Sequence, residues 1–357
     1  MKKNKIYING TGIISAQKTF DNSLFLEEII SSETNQLKAF DPNYKEYVAG
    51  DMVRRMSHVI KMGIAASKIC LEDAKCPVPD AIITGTGMGC MEDTEKFLGN
   101  MVANNEEFLT PTSFIQSTHN TVSAQIALLL KCHNYNFTYV HRGLSFESAL
   151  VDTMVKLQGG QYSKILLGTS DEITKNSHVI MERMGFWRRK PFKGLELFNT
   201  TEQGTVAGEG AAFFLLCSEK TESSYASVSD LSTLIYPADK EEIINKITDI
   251  LRDNDLTPDD IDLMITGENG DSASDMVYQQ TIDSILPDAG KASFKHLSGE
   301  YHTSASFAFW MALKILKNQT IPSVAIRKQP VSGKFRNILI YNHYRNINHS
   351  FILVTQA

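Results

Sequence analysis

Two series of short apolar, β-forming runs alternate with helical stretches along this chain, and they follow a similar order. In the first, KIYIN (5–9) reads as a strand leading into GTGII, and RRMSHVIKMGIAASKICLEDA (54–74) as a long amphipathic helix. DAIITGTGMG (80–89) reads as a buried strand ending in a glycine-rich turn, and TVSAQIALLL (121–130) as an apolar helix. NFTYV (136–140) is a short strand, SFESALVDTMVKLQ (145–158) a helix, and SKILLGTSDE (163–172) a second buried strand. GEGAAFFLLCSEK (208–220) closes the series. The second series runs from ASVSDLSTLIY (226–236) through helices at 240–254, 274–286 and 304–318. It includes a cap, strand and turn at 257–271 and ends in a strand pair, NILIYNHY (337–344) and HSFILVTQ (349–356). Such alternation predicts a sheet covered by helices on both faces. The likeness of the two series predicts a duplicated α/β unit with a seam near 220–225, dividing the chain into residues 1–222 and 223–357. Residues 181–210, bearing glycine and proline, are expected to form an irregular insert.

Composition narrows the function. A length of 357 residues fits one large or two medium domains. Acidic residues (41) exceed basic ones (35), which argues against nucleic acid as the main partner. The five cysteines form no CxxC pair and no metal-like cluster with histidine, so reduced thiols in a cytoplasm are expected and neither metal nor cofactor. The N-terminus is too poor in apolar residues for a signal peptide, and the longest apolar runs fall short of a membrane span.

The stretch YVHRGLSFESAL (139–150) turns sharply from strand to helix around Arg142-Gly143-Leu144. Enzymes expose nucleophiles at such bends, because the bend lifts one side chain clear and aims a helix N-terminus at it. Here the tip is a leucine.

The order and spacing of several segments together resemble the β-ketoacyl-acyl-carrier-protein synthases of the elongating type. YINGTGIIS resembles that family's opening strand and turn, and ITGTGMGCMED the glycine-rich turn before its lid helix. FLTPTSFIQSTHNTVSAQIALLL, SKILLGTSDE and VAGEGAAFFLL match in order, and KHLSGEYHTSASF resembles the second-half lysine and Gly-His loop. The resemblance implies a thiolase-like α/β fold: two duplicated βαβαβαββ halves in a layered α-β-α-β-α arrangement. It also implies a Claisen condensation between an acyl thioester and a malonyl-carrier protein. That chemistry uses a cysteine thiolate as nucleophile and leaving group, and two histidines that stabilise an enolate oxyanion.

Carried over residue by residue, the family's nucleophile falls on Leu144, its first histidine on Asn269 and its second on Glu300, while Lys295 matches the family lysine. Arg345 and Asn346 stand where glycine and a gating phenylalanine would lie. Losing each oxyanion donor costs on the order of 3 kcal/mol in the transition state. The pattern resembles the chain-length-factor subunit of heterodimeric ketosynthases, a degenerate copy that pairs with an active one and shapes its acyl tunnel in polyketide and aryl polyene pathways. An acyl carrier protein and a ketosynthase partner, or a second copy of the chain, are the expected partners. The alternatives are a divergent condensing enzyme or acyltransferase with its own activity, using Ser145 and His302, and a homodimer that only binds ligand.

Several residues carry two readings. Ser145 is a nucleophile or a helix N-cap. His302 replaces the missing histidine or opens a helix. Lys295 and Glu300 pair if buried, since an unpaired buried charge is costly, or face solvent. His141 and Arg142 anchor a partner's carboxylate or bond local carbonyls. Arg188, Arg189, Lys190 and Lys193 form a docking patch for an acidic carrier protein or a solvated surface. His119 is a ligand or a satisfied helix-start histidine.

Overall fold

The computed structural model describes residues 5–199, 203–331 and 333–357; part of the expected insert, 200–202, lies outside them. The large sheet contains β1 (Ile6–Ile14), β2 (Ala81–Gly85), β3 (Asn136–Tyr139), β4 (Lys164–Asp171), β5 (Gly210–Cys217) and β6 (Ala226–Ile235). It continues with β7 (Leu263–Thr266), β8 (Gly290–Ser293), β9 (Ile326–Lys328), β10 (Asn337–Tyr344) and β11 (Asn348–Thr355). Their spatial order is β9-β8-β7-β10-β11-β6-β1-β5-β4-β2-β3.

That order repeats. In the first series β3, β2, β4, β5 and β1 lie side by side; β2 is parallel to β3 and β4, and β5 runs antiparallel between β4 and β1. In the second, β8, β7, β10, β11 and β6 follow the same sequence of neighbours with the same directions, and β9 adds an outer strand. The two runs meet where Ile6–Ile8 of β1 pairs with Ala226–Val228 of β6. The duplication expected from the sequence is therefore visible in the topology.

Side-chain alternation builds the layers. Successive strand residues point to opposite faces, and both faces here are apolar. Ile83, Ile165, Leu167, Phe214, Ile265, Ile340 and Ile352 face one core, shared with helices α5 (Ser145–Gln158) and α9 (Ala305–Asn318). Their neighbours split between two other cores. Ile82, Leu166 and Phe213 pack under α1 (His58–Asp73) and α4 (Thr121–Leu130). Met264, Leu339 and Leu353 pack under α7 (Lys240–Asp253) and α8 (Ser272–Ile285). This is the α-β-α-β-α sandwich. Helix α9 is buried from Ala305 to Leu316 because sheet covers it on both sides. Phe146 of α5 meets Phe309 of α9 with ring centroids 5.6 Å apart, joining the halves at the centre. By contrast, α7 buries one stripe only, Ile243, Ile247, Ile250 and Leu251.

Glycines set how close a helix can come. A side chain at Gly12 would put its Cβ 2.2 Å from the Ala66 carbonyl oxygen, so GTG lets α1 lie against β1. Two helices missing from the alternating pattern, α2 (Met91–Ala103) and α3 (Pro111–Gln116), form a cap that leaves Leu98, Val102, Phe114 and Ile115 exposed. Among the described residues, no helix is long and apolar enough to cross a membrane.

The central layer also buries an acid. Glu147, in the first turn of α5, is 1% exposed. Burial, partly offset by the Ser350 hydroxyl and the Lys295 charge, pushes its carboxyl up to about 7. The folded state thus favours the protonated acid. That stability is full below the unfolded carboxyl's range and is lost as pH rises toward 7. Glu147→Gln is expected to be neutral at pH 4 and to stabilise by about 3 kcal/mol at pH 8, read from urea unfolding at both pH values.

Candidate functional site

The strand-to-helix turn is a local hydrogen-bonded device. After β3 the chain enters a 3-10 turn, Arg142–Leu144, with Arg142 in left-handed backbone (φ 48), and α5 begins at Ser145. The Ser145 Oγ accepts the His141 N–H at 2.8 Å and donates to the Arg142 carbonyl at 2.8 Å, which closes the turn. Ser145 is therefore the first helical residue and not an N-cap: its hydroxyl is spent on the turn rather than on an orphan N–H of α5. The same commitment leaves it buried and absent from the cavity described below. His141 donates its N–H to that serine and places its ring nitrogen 3.2 Å from the Ser148 Oγ.

Three residues of the turn point three ways. Leu144 is 2% exposed and lines a groove on the outer side with Tyr139, His141 and Val151. Arg142 lines an inner cavity of about 230 Å³. Gly143 faces Tyr344, another cavity-lining residue, and a Cβ added there would lie 2.3 Å from the Tyr344 Cβ. Only glycine fits this approach without moving the tyrosine. Leu144 does not line the inner cavity, and Tyr344 packs over Gly143.

Asn269, Lys295 and Glu300, carried over separately from the sequence, come together. Lys295 opens a short helical turn after β8 and is fully buried. Its Nζ lies 2.6 Å from Glu300 Oε2 and 3.4 Å from the His343 carbonyl. The Asn269 Nδ2 donates to the same Glu300 oxygen at 3.0 Å. Ser304 Oγ donates to Glu300 Oε1 at 3.3 Å. Backbone contacts hold the pieces. Asp275 accepts the N–H groups of Asn269 and Gly270 at 2.8 Å each. Glu300 bridges to the 206–208 strand through its own N–H and carbonyl, where Gly299 and Gly208 pass too closely for any Cβ.

His302 lines the cavity two residues on, its ring 4.8 Å from that of Tyr344. Burial is the main force lowering its pKa; Asp171 and Glu300 oppose, and Arg142 and Arg345 add to the lowering. Asp171, which the sequence reading did not single out, anchors the wall: it accepts from Thr86 Oγ1, Gly87 N and both donors of Thr303. Its place at the end of an apolar strand was the available signal. Arg345 and Asn346 occupy the hairpin turn between β10 and β11 in left-handed backbone, and Arg345 lines the cavity.

The basic cluster splits. Arg188 is 3% exposed, and its guanidinium donates to the carbonyls of Gly204 and Gly270, so it is an internal tie and not part of a docking surface. Arg189, Lys190 and Lys193 are exposed, as is His119 at the Gly89 turn.

Chemically, a carboxylate stands at the position to which the resemblance carries an oxyanion donor, and the adjacent Asn269 amide is bonded to that carboxylate. An enolate oxyanion placed here would be repelled rather than stabilised. Energetically, the cluster depends on pairing. Glu300→Ala strands the buried Lys295 charge and is expected to cost about 3–5 kcal/mol in chemical denaturation, whereas the double replacement Lys295→Met with Glu300→Leu loses much less.

Comparison with known proteins gives the fold and the family. The profile of the family described as "Beta-ketoacyl synthase, N-terminal domain" matches residues 8–222. No curated protein matches the sequence. Among solved structures, the ishigamide ketosynthase/chain length factor superposes with a TM-score of 0.81 at 17% identity, covering 99% of this chain and 100% of that one. A β-ketoacyl synthase from Burkholderia phymatum STM815 gives 0.80 at 14% identity over 99% of this chain and 100% of that one. The complex of the ketosynthase ApeO with its chain length factor ApeC from Xenorhabdus doucetiae gives 0.77 at 15% identity, over 99% and 98%. The fold is thiolase-like, and the chain belongs to the β-ketoacyl synthase family.

Proposed function

We propose that this chain is a non-catalytic ketosynthase-family subunit of the chain-length-factor type, which pairs with an active ketosynthase and shapes its acyl tunnel in polyketide or aryl polyene synthesis. One observation carries the reading: at the three positions where the family places its thiol and two imidazoles, this chain has a turn of Gly143 and Leu144, an asparagine and a carboxylate, the last two bonded to each other. Leu144, where the resemblance puts the nucleophile, offers no thiol or hydroxyl; a register one residue later would put it on Ser145. The alternative with Ser145 and His302 loses support, because Ser145 bonds within its turn and does not line the cavity that His302 lines.

The surface favours a partner. Strand β3 is the edge of the large sheet, with one side unpaired. Phe137 in it and Val140 just after it are exposed, as are Val151 and Val155 on α5 and Leu128 on α4. An exposed apolar edge strand is a template for pairing with another chain. Arg189, Lys190 and Lys193 remain available to an acidic carrier protein. The boundary at 222/223 fits this reading, with the turn, Arg142 and the β3 edge in the first part and the Lys295–Glu300 cluster in the second.

The test is co-expression with a Cys-His-His ketosynthase encoded beside this chain. A one-to-one complex is expected in size-exclusion chromatography, it should be lost on Phe137→Asp, and Phe114→Ala in the cap should alter product length. Recovery of the chain only as a monomer or homodimer would sink the proposal.

A further inference from the structure

The inner cavity carries a charge pattern that ketosynthase chemistry does not use. One wall is apolar: Met88, Met91, Met181, Met184 and Trp187 line it. Methionine side chains adapt to chains of varied shape. The acids nearest His302 are committed, Asp171 to four donors and Glu300 to Lys295, Asn269 and Ser304. Arg142 and Arg345 also line the cavity. Both are exposed, and neither guanidinium has a hydrogen-bond or ion-pair partner among the described residues.

Both arginines stand at constrained backbone positions, and the Arg345 side chain is also packed in place. Each sits in left-handed backbone, φ 48 and φ 58, which is uncommon outside glycine and concentrates at ligand clamps. Arg345 stacks on Phe186 with its Cζ 3.7 Å from the ring centroid, which fixes the guanidinium plane and leaves its N–H edge open. His178 lines the same cavity at 6% exposure, and its Nδ1 has no hydrogen-bond partner among the described residues. Both guanidiniums lie close enough to act on His302 and Tyr344 of the same cavity, and two such cations beside apolar side chains match a planar anion on an aliphatic chain.

We propose that this cavity binds an unbranched aliphatic carboxylate, with its chain against the four methionines and Trp187 and its carboxylate held between Arg142 and Arg345. A monoanion fits better than a phosphate monoester, because Asp171, Glu172 and Glu300 also line the wall and repel a second negative charge. The site needs no acylation of the chain and holds whether or not the chain pairs with a ketosynthase.

Trp187 lines the cavity while Trp310 is fully buried in the core, so indole fluorescence reports on the site. Octanoate, octanol and octyl phosphate are titrated into the full chain by fluorescence and by calorimetry. Saturable octanoate binding is expected, with octanol and octyl phosphate at least about tenfold weaker. Arg142→Met and Arg345→Met should each weaken octanoate about tenfold while leaving octanol unchanged. The proposal is overturned if octanol or octyl phosphate binds as well as octanoate, or if calorimetry finds no saturable octanoate binding at millimolar concentration. Folded arginine variants that bind octanoate like the unaltered chain also overturn it. Should those variants misfold, the comparison of the three ligands on the unaltered chain decides.

Discussion

A lysine with no exposed surface must be paired or neutral, and here the pair is Lys295 with Glu300 at 2.6 Å. That contact organises what surrounds it. Glu300 can accept from Lys295 only because Gly299 and Gly208 let two backbones pass closely. Its carboxylate then also accepts the Asn269 amide and the Ser304 hydroxyl. The loop after β7 is bound to the loop before α9 through side chains from both. This neighbourhood satisfies its own polar groups, which stabilises the fold.

The turn before α5 is likewise closed by its own side chains. Its shape persists, closed by Ser145, while Gly143 admits the Tyr344 ring and Leu144 turns outward. A bend that could expose a nucleophile becomes a packing joint between α5 and the β10–β11 hairpin. The polar residue it leaves at the cavity is Arg142, and Arg345 of that hairpin lines the same cavity.

Much of this was legible in the sequence. Apolar runs bounded by glycine gave the buried strands, and TVSAQIALLL and SFESALVDTMVKLQ occupy their helices as expected, Thr121–Leu130 and Ser145–Gln158. Strand β8, GKAS, was not legible because it has neither alternation nor β-branched residues; parallel pairing with β7 makes it a strand. The grouping of Asn269, Lys295 and Glu300 came through resemblance, since residues 269 and 300 meet only by tertiary packing. Arg188 misled because adjacent charges read as surface, and a guanidinium that bonds two carbonyls can be buried.

The central claim is that this chain cannot carry an acyl group or decarboxylate a malonyl thioester by itself. Intact-mass spectrometry of the purified chain after incubation with acyl- and malonyl-carrier protein, with carbon dioxide measured in the same reaction, tests it most directly. An unchanged mass and no carbon dioxide above the protein-free rate are the predicted result. A stable acyl adduct that disappears in Ser145→Ala would contradict the account.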